Sequence, residues 1–369
     1  MNKLDELINR LCPDGVEFKA IGVLIDKAYK SINGVKHIEK MAKGSIVAFT
    51  SGKRSFYVNE YLVDGEYIFM NDGGEADIKY HRGKAYYSDH VFTFTSNKVN
   101  VKFLYYFLAN TSDYINEKMF RGSGIKNLVK KDFLNLLVPL PPMEIQCEIV
   151  RILDNFTELT TELTTELTTR KQQYEYYRDR LLNFKNKVLI KKLEDILVIK
   201  NGKDYKELNE GDVPVYGTGG IMTYVDSFAY DGKSVLIPRK GSLDKLYYVE
   251  GKFWTVDTIF YTIINQSIVV PKFIYYFLQN KHLEKMNIAG GIPSLTQEKL
   301  NKIELPVPSL EIQNRIVDVL DNFDTVSNDL NIGLPAEINA RQKQYEYYRN
   351  KLLTFVENGL RLTDRQTDR

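Results

Sequence analysis

The chain of 369 residues is short of several things at once, and each shortage removes a class of protein. It has two cysteines, Cys12 and Cys147, too few for a disulfide framework, so a reducing compartment is the natural setting and a cytoplasmic location the expectation. No apolar run approaches the roughly 20 residues that cross a bilayer, so no membrane partner is expected. The opening stretch mixes acids and bases without the apolar centre of a secretion signal. The four histidines, His37, His81, His90 and His282, form no ligand spacing with either cysteine. An excess of one charge is also missing: 50 Lys and Arg face 48 Asp and Glu, a net of +2, so bulk charge announces no nucleic-acid partner and leaves only local basic patches open. What is present is core material, 43% hydrophobic and 12% aromatic, enough for two folded domains.

Catalytic signatures are missing as well. A methyltransferase needs a glycine-rich cofactor turn after a strand and an Asn-Pro-Pro or Asp-Pro-Pro run, and neither occurs; Tyr216-Gly217-Thr218-Gly219-Gly220 lacks the dinucleotide spacing and reads as a turn. There is no Walker phosphate loop. Asp77-Ile78-Lys79 with Asp72 and Glu75 upstream is the nearest thing to a nuclease, since clustered carboxylates and a lysine can hold Mg²⁺ and activate water. It has no counterpart in the second half of the chain, and a solvated loop is the preferred reading. Catalytic residues and metal ligands are therefore expected to be none.

The chain repeats itself instead. PLPPMEIQCEIVRILDNF (Pro139 to Phe156) returns as PVPSLEIQNRIVDVLDNF (Pro306 to Phe323), and RKQQYEYYRDRLLNF (Arg170 to Phe184) as RQKQYEYYRNKLLTF (Arg341 to Phe355). Weaker echoes precede them: KFLYYFL at Lys102 and KFIYYFL at Lys272, GSGIKNL at Gly122 and AGGIPSL at Ala289. The period of roughly 170 residues exceeds the ~20–50 of solenoids, which points to two domains related by a pseudo-twofold.

The repeated words have helical spacing. Ile145, Ile149, Ile152 and Phe156, then Tyr174, Tyr177, Leu181 and Phe184, advance in steps of three and four, as do Ile312, Ile316, Val319 and Phe323, then Tyr345, Tyr348, Leu352 and Phe355. These are the candidate residues for a helix seam or a partner-docking face. Each copy begins after prolines, which suit a helix entrance, and Gly333-Leu334-Pro335 predicts a break in the second. Two such helices related by a twofold run antiparallel and hold the domains apart. Around them, SVLIPRK (Ser234 to Lys240) and AYYSDHVFTFT (Ala85 to Thr95) alternate as strands, and VKFLYYFLANTSDYINEKMF as a helix, so both domains are mixed α/β.

Basic residues interleaved with aromatics and hydroxyls are the candidates for nucleic-acid contact, because phosphates attract Lys and Arg while base edges need directional donors. In the first half these are Lys53, Arg54, Lys79, Tyr80, Arg82 and Lys84, beside His81. In the second half they are Tyr216, Thr218, Arg239, Lys240, Ser242 and Lys245. Arg121, Ser123 and Lys126 lie among Gly122 and Gly124, where backbone amides can meet a phosphate; an ordinary loop is the equal alternative.

Taken together, the EIQ…IV…LDNF pair, the QYEYYR pair, the Gly-Leu-Pro-Ala-Glu-Ile run at Gly333 and the TELT words resemble the conserved regions of the specificity subunit of type I restriction-modification systems. GDVPVYGTGG (Gly211) and SVLIPRKGS…GKFWTVDTIFY (Ser234 to Tyr261) resemble that family's second target recognition domain, and LCPDGVEF (Leu11) its opening. The resemblance implies recognition domains at 1–138 and 188–305, helical spacers at 139–187 and 306–358, and a polar tail at 359–369. It further implies a non-catalytic subunit that binds double-stranded DNA, reads an asymmetric bipartite site and docks two modification subunits plus restriction subunits. Cofactors would sit elsewhere: S-adenosylmethionine in the modification subunit, ATP and Mg in the restriction subunit. A coiled-coil scaffold with two protein-binding ends is the competing interpretation, and a self-sufficient nuclease or methyltransferase a third.

One further feature is the run TELTTELTTELTT, Thr157 to Thr169. Leu159, Leu163 and Leu167 recur every four residues; four residues turn a helix by about 400°, so the three leucines drift by only about 80° and share a face. The run is expected to be packed helix, with a flexible linker as the alternative, and to set the distance between the two readers. With both facing successive major grooves the half-sites lie about 10 base pairs apart, with an unread gap of roughly six or seven.

Overall fold

Asn100 accepts hydrogen bonds from the backbone N–H groups of Lys102 and Phe103 and so opens the helix Val101–Asn110, whose Val101, Phe103, Leu104, Tyr106, Phe107 and Leu108 are all buried. Its counterpart Pro271–Asn280 opens on Pro271 and buries the same sequence of positions. These two helices are the centres of two units in the computed structural model, which describes residues 3–52, 54–184, 188–286, 294–329, 332–357 and 360–361. One unit is Met1–Glu162 with Asn339–Arg369; the other is Leu163–Ile338. The division falls inside the repeated helices, so each unit owns half of each, where the sequence reading placed whole spacers between domains.

In the first unit, strand Glu17–Ala20 pairs antiparallel with Leu137–Leu140 and closes the globular part where it enters the helix Met143–Leu181. Between them lies a six-stranded sheet in the order Asp26–Lys27, Val91–Thr95, Val63–Asn71, Ile78–Tyr87, Lys43–Phe49, Phe56–Val58. Every pairing is antiparallel except Lys43–Phe49 against Ile78–Tyr87. The second unit closes in the same way, Leu189–Lys192 against Glu304–Val307, but builds two four-stranded sheets instead of one. The first runs Leu197–Asn201, Ile259–Ile264, Ser234–Pro238, Tyr247–Val249; the second Gly220–Val225, Val213–Gly217, Lys252–Thr255, Tyr230–Asp231. Tandem mixed α/β domains on long helices are thus the architecture.

The helix Met143–Leu181 continues through the TELT words for 39 residues, roughly 58 Å at 1.5 Å per residue. Threonine is a poor helix former because its branched side chain is restricted and its hydroxyl competes for backbone groups. Here the hydroxyls are absorbed by the helix itself: Thr160 donates to Phe156 O at 2.8 Å, Thr161 to Thr157 O at 2.8 Å, and Thr168 and Thr169 to Thr164 O and Thr165 O at 3.0 Å. Leu159, Leu163 and Leu167 are half-buried between exposed glutamates. The second helix ends at Asn328 and a new one, Leu334–Leu352, begins with Pro335 in its first turn. A Cβ on Gly333 would lie 2.4 Å from Thr325 O, so the break needs glycine there.

Each unit pairs its two half-helices through an equivalent aromatic stack. Phe156 stacks on Tyr348 at 5.5 Å in the first, and Tyr177 on Phe323 at 5.4 Å in the second. Tyr177 and Tyr348 nevertheless remain 42% and 39% exposed, because one ring face is covered and the other is not. Of the remaining seam candidates, Ile145, Ile149, Ile316 and Tyr174 are buried, and Leu181, Tyr345 and Leu352 partly so. The expected stripe in the second copy is displaced: Gln313, Ile316, Val317 and Leu320 are buried, whereas Ile312 and Val319 are 46% and 40% exposed. In both copies the helix faces its own recognition domain with the side that carries the glutamine, Gln146 or Gln313, so the exposure of Ile312 has another cause.

Ile312 has a fully buried counterpart, Ile145. The difference is the helix Lys3–Leu11, whose Leu4, Leu7, Ile8 and Leu11 join the same core cluster as Ile145 and Ile149. Ion pairs Lys3 to Glu148 at 3.1 Å and Arg10 to Glu144 at 3.2 Å pin it in place. The second unit has Arg315 where Glu148 would be, and Arg315 pairs along its own helix with Glu311 at 2.8 Å. Of the polar tail, the described part is Leu360–Arg361, paired with Val356–Glu357. Cys12 and Cys147 are free thiols.

Candidate nucleic-acid interface

The polar residues inside the repeated words join each recognition domain to its helix, and they do so twice with the same atoms. Gln146 accepts from Asn100 N at 2.8 Å and donates to Pro141 O at 2.7 Å. Gln313 accepts from Val270 N at 2.8 Å and donates to Pro308 O at 2.8 Å and Ile268 O at 3.1 Å. One buried amide thereby fixes the start of the KF(L/I)YYFL helix against the spacer. About two turns further on, Asp154 accepts from Lys102 Nζ at 2.8 Å and Tyr106 Oη at 2.6 Å. Asp321 accepts from Lys272 Nζ at 2.6 Å and Tyr276 Oη at 2.5 Å. Burial, reinforced by the carboxylate, raises both tyrosines well above the ordinary phenol range, so they stay protonated donors. In the second unit a cleft of about 440 Å³ lies beside this clamp, between Tyr216, Tyr247 and Tyr248 on one side and Asp321, Asp324 and Thr325 on the other.

Sequence reasoning read these words as helix and missed the joint. The signal was available: Gln146, Asp154, Lys102 and Tyr106 are among the polar positions that recur unchanged, as Gln313, Asp321, Lys272 and Tyr276.

The candidate contact residues fall out differently in the two units. In the second they converge. Thr218, at the turn between Val213–Gly217 and Gly220–Val225, donates to Lys240 O at 3.1 Å and Thr258 O at 3.3 Å, and its carbonyl accepts from Tyr247 Oη at 3.0 Å. That draws Tyr216, whose ring lies 6.0 Å from Tyr247, against the loop carrying Arg239, Lys240, Ser242 and Lys245. Lys240, Ser242 and Lys245 are exposed there, while Arg239 folds back over the Phe260 ring at 5.9 Å.

In the first unit the candidates separate. Along Ile78–Tyr87, Lys79 and His81 point to one face of the sheet and Tyr80, Arg82 and Lys84 to the other. Tyr80 is half-buried, packed under Lys102 at 5.3 Å and beside Tyr105 at 5.8 Å, and burial pushes its hydroxyl up to about 12. Lys79 is held by Asp77 at 2.6 Å and Arg82 by Glu66 at 3.6 Å. Arg54 lies over Phe56 at 5.0 Å and Lys84 over Tyr61 at 4.5 Å, both at the surface. Lys53 lies outside the described residues. Arg121, Ser123 and Lys126 are exposed on a loop of their own, with Arg121 paired to Asp132 at 2.8 Å.

Two of the three nuclease-like carboxylates are paired, Asp72 with Lys130 at 3.2 Å and His90 at 3.3 Å and Asp77 with Lys79, while Glu75 is exposed. Among the described residues no group of three His, Cys, Asp or Glu side chains is placed to hold a metal, and no helix is long and apolar enough to cross a membrane.

With this geometry in hand, comparison places the chain among DNA-specificity proteins. The profile of the type I restriction modification DNA specificity domain matches twice, over residues 24–170 and 185–340. The chain belongs to the specificity-subunit family of type I restriction-modification systems. It is 35% identical to the specificity subunit of the EcoR124I/EcoR124II type I restriction enzyme of Escherichia coli, over 70% of this chain and 72% of that one. A Haemophilus influenzae chain named as a type I restriction enzyme specificity subunit is 30% identical over 90% of this chain and 94% of its own length. Among solved structures, the S subunit of a type I system from M. genitalium has the same fold, with a TM-score of 0.65 at 19% identity, covering 92% of this chain and 96% of that one. The family determines specificity and is not itself catalytic or cofactor-binding.

Proposed function

We propose that the chain reads an asymmetric, bipartite double-stranded DNA site in the cytoplasm, one half-site per recognition domain, and docks two modification subunits together with restriction subunits. The observation that carries this reading is the doubled joint: one buried glutamine and one Asp–Lys–Tyr clamp hold two differently built sheets on equivalent helix segments. Invariant joints with divergent sheets suit a molecule that must present two different readers to one kind of partner twice. The chemistry then belongs to the partners, with S-adenosylmethionine in the modification subunit and ATP with Mg in the restriction subunit. Contacts to phosphate and base are assigned to Arg54, Lys84, Arg121, Ser123 and Lys126 in the first domain and Tyr216, Lys240, Ser242 and Lys245 in the second.

Mapping genomic methyladenine in cells with and without the gene tests the reading, which predicts that one split motif disappears with the gene. An unchanged methylation pattern would reject it in favour of a protein scaffold. The TELT words sharpen the test. Deleting Thr165 to Thr168 removes about 6 Å of helix and turns the downstream helix by about 40°, close to one base-pair step of DNA. The gap in the motif is expected to shorten by about one base pair with both half-sites unaltered; an unchanged gap at full activity would make the run slack.

A further inference from the structure

The recognition domains differ in sheet number and strand order, yet one short run of sequence returns in both. GSGIKNL at Gly122 and AGGIPSL at Ala289 stand at the same distance before LDNF, with no residue gained or lost in between. Part of this retention is explained by packing, because Leu128 and Leu295 are buried, as are Phe133 and Leu300 further along. Ile125 is not explained in that way: it is 78% exposed. The second copy of this isoleucine, Ile292, lies outside the described residues.

Ile125 sits at the tip of a braced loop. Phe120–Arg121 and Asn127–Leu128 pair antiparallel beneath it, and Leu128 N donates to Asp72 O at 2.9 Å. Gly74 N donates to Lys126 O at 2.7 Å, and Asn127 Nδ2 to Ile125 O at 3.2 Å. Gly122 has φ +150°, and a Cβ on it would meet Ile125 O at 2.8 Å, so the loop closes under the isoleucine only with glycine in that place. The side chain is therefore held out by a fixed base, between the cations Arg121 and Lys126.

We propose that Ile125 is a DNA wedge, entering the duplex beside the adenine that the modification subunit methylates and filling the stacking space that this base leaves. The inference rests on the two-reader function proposed above. A base inside a duplex is inaccessible to a methyltransferase and must leave the stack, and proteins that unstack a step frequently insert an apolar side chain to do so. One isoleucine among Gly, Ser and Lys is too small for the apolar centre of a protein interface but matches one base step, and flanking cations suit flanking phosphates.

The experiment uses the complete chain assembled with its modification subunit and a duplex carrying the mapped motif, with 2-aminopurine in place of each target adenine in turn. Ile125→Ala is expected to abolish the fluorescence rise and to slow methylation about tenfold or more at the half-site of the first domain, leaving the other half-site as in the parent. Ile125→Leu should restore most of both, and a mismatch opposite the target should rescue Ile125→Ala by unstacking the base beforehand. Unchanged fluorescence and rate in Ile125→Ala would overturn the inference while leaving the two-reader reading intact. Loss of the modification subunit from purified Ile125→Ala would overturn it too, by making the tip a protein contact. A parent complex that binds and methylates no split motif would sink the underlying reading, and the wedge with it.

Discussion

The two units share a frame and differ in what the frame carries and in what covers it. Both lock a glutamine into the start of the KF(L/I)YYFL helix and an aspartate onto its lysine and tyrosine, and both stack the phenylalanine of LDNF on the third tyrosine of QYEYYR. One carries a six-stranded sheet and the other two four-stranded sheets. The first unit alone has the helix Lys3–Leu11 over its spacer, so Ile145 is buried and its counterpart Ile312 is exposed. Duplication has kept the polar atoms that set orientation, while the sheets and the cover over the spacer differ.

The most severe way to break the comparison is to place a charge at equivalent positions. Ile145→Asp puts a carboxylate in the core under Lys3–Leu11 and is expected to cost about 4 kcal/mol or more, whereas Ile312→Asp should cost under about 1 kcal/mol. Amide exchange resolved for each unit measures both, and equal losses would mean that the N-terminal helix does not distinguish them. The joint should behave in the opposite way, as an equal. Gln146→Leu strands a buried backbone N–H and one carbonyl and Gln313→Leu an N–H and two carbonyls; each is expected to cost about 1–3 kcal/mol, matching the other within about 1 kcal/mol. A large loss in one unit and none in the other, read by urea unfolding, would show that the two joints are not equivalent.

A smaller difference comes from Glu148. The hydrogen bond from Arg151, aided by Lys3 and opposed by burial, lowers its carboxyl from 4.5 to about 2. A depressed carboxylate stabilises the folded chain above its unfolded value, and the contribution is lost as pH falls from about 4.5 towards 2. The partners Lys3 and Arg151 are largely exposed, which limits the effect to about 1–2 kcal/mol. The first unit should therefore weaken over that window more than the second, which has Arg315 in place of Glu148. Glu148→Gln should remove the difference, and an identical acid profile of parent and variant in unit-resolved exchange would contradict the assignment.

How much of this was legible in the sequence depended on the kind of interaction. The helices, the break at Gly333 and the doubled plan were readable because periodicity and glycine–proline chemistry are local. The outcome at Ile312 was not: the same stripe is covered by the helix Lys3–Leu11 in the first copy and uncovered in the second. Nor was the inward turn of Gln146 and Gln313, because backbone groups distant in sequence need those amides and pattern reading has no sight of them. The contact candidates show the same limit. Thr218, Lys240 and Ser242 are drawn together by turns distant in sequence, whereas Tyr80, picked for its basic neighbours, lies packed beside Tyr105.

The most direct test of the central claim, one frame with two independent readers, is an exchange of one reader. Replacing residues 15–138 with the corresponding segment of another specificity subunit, and mapping methyladenine in cells that supply the modification subunit, is expected to change one half of the split motif. The other half and the gap between them should stay as they were. A change in both halves, or in the gap alone, would contradict the account.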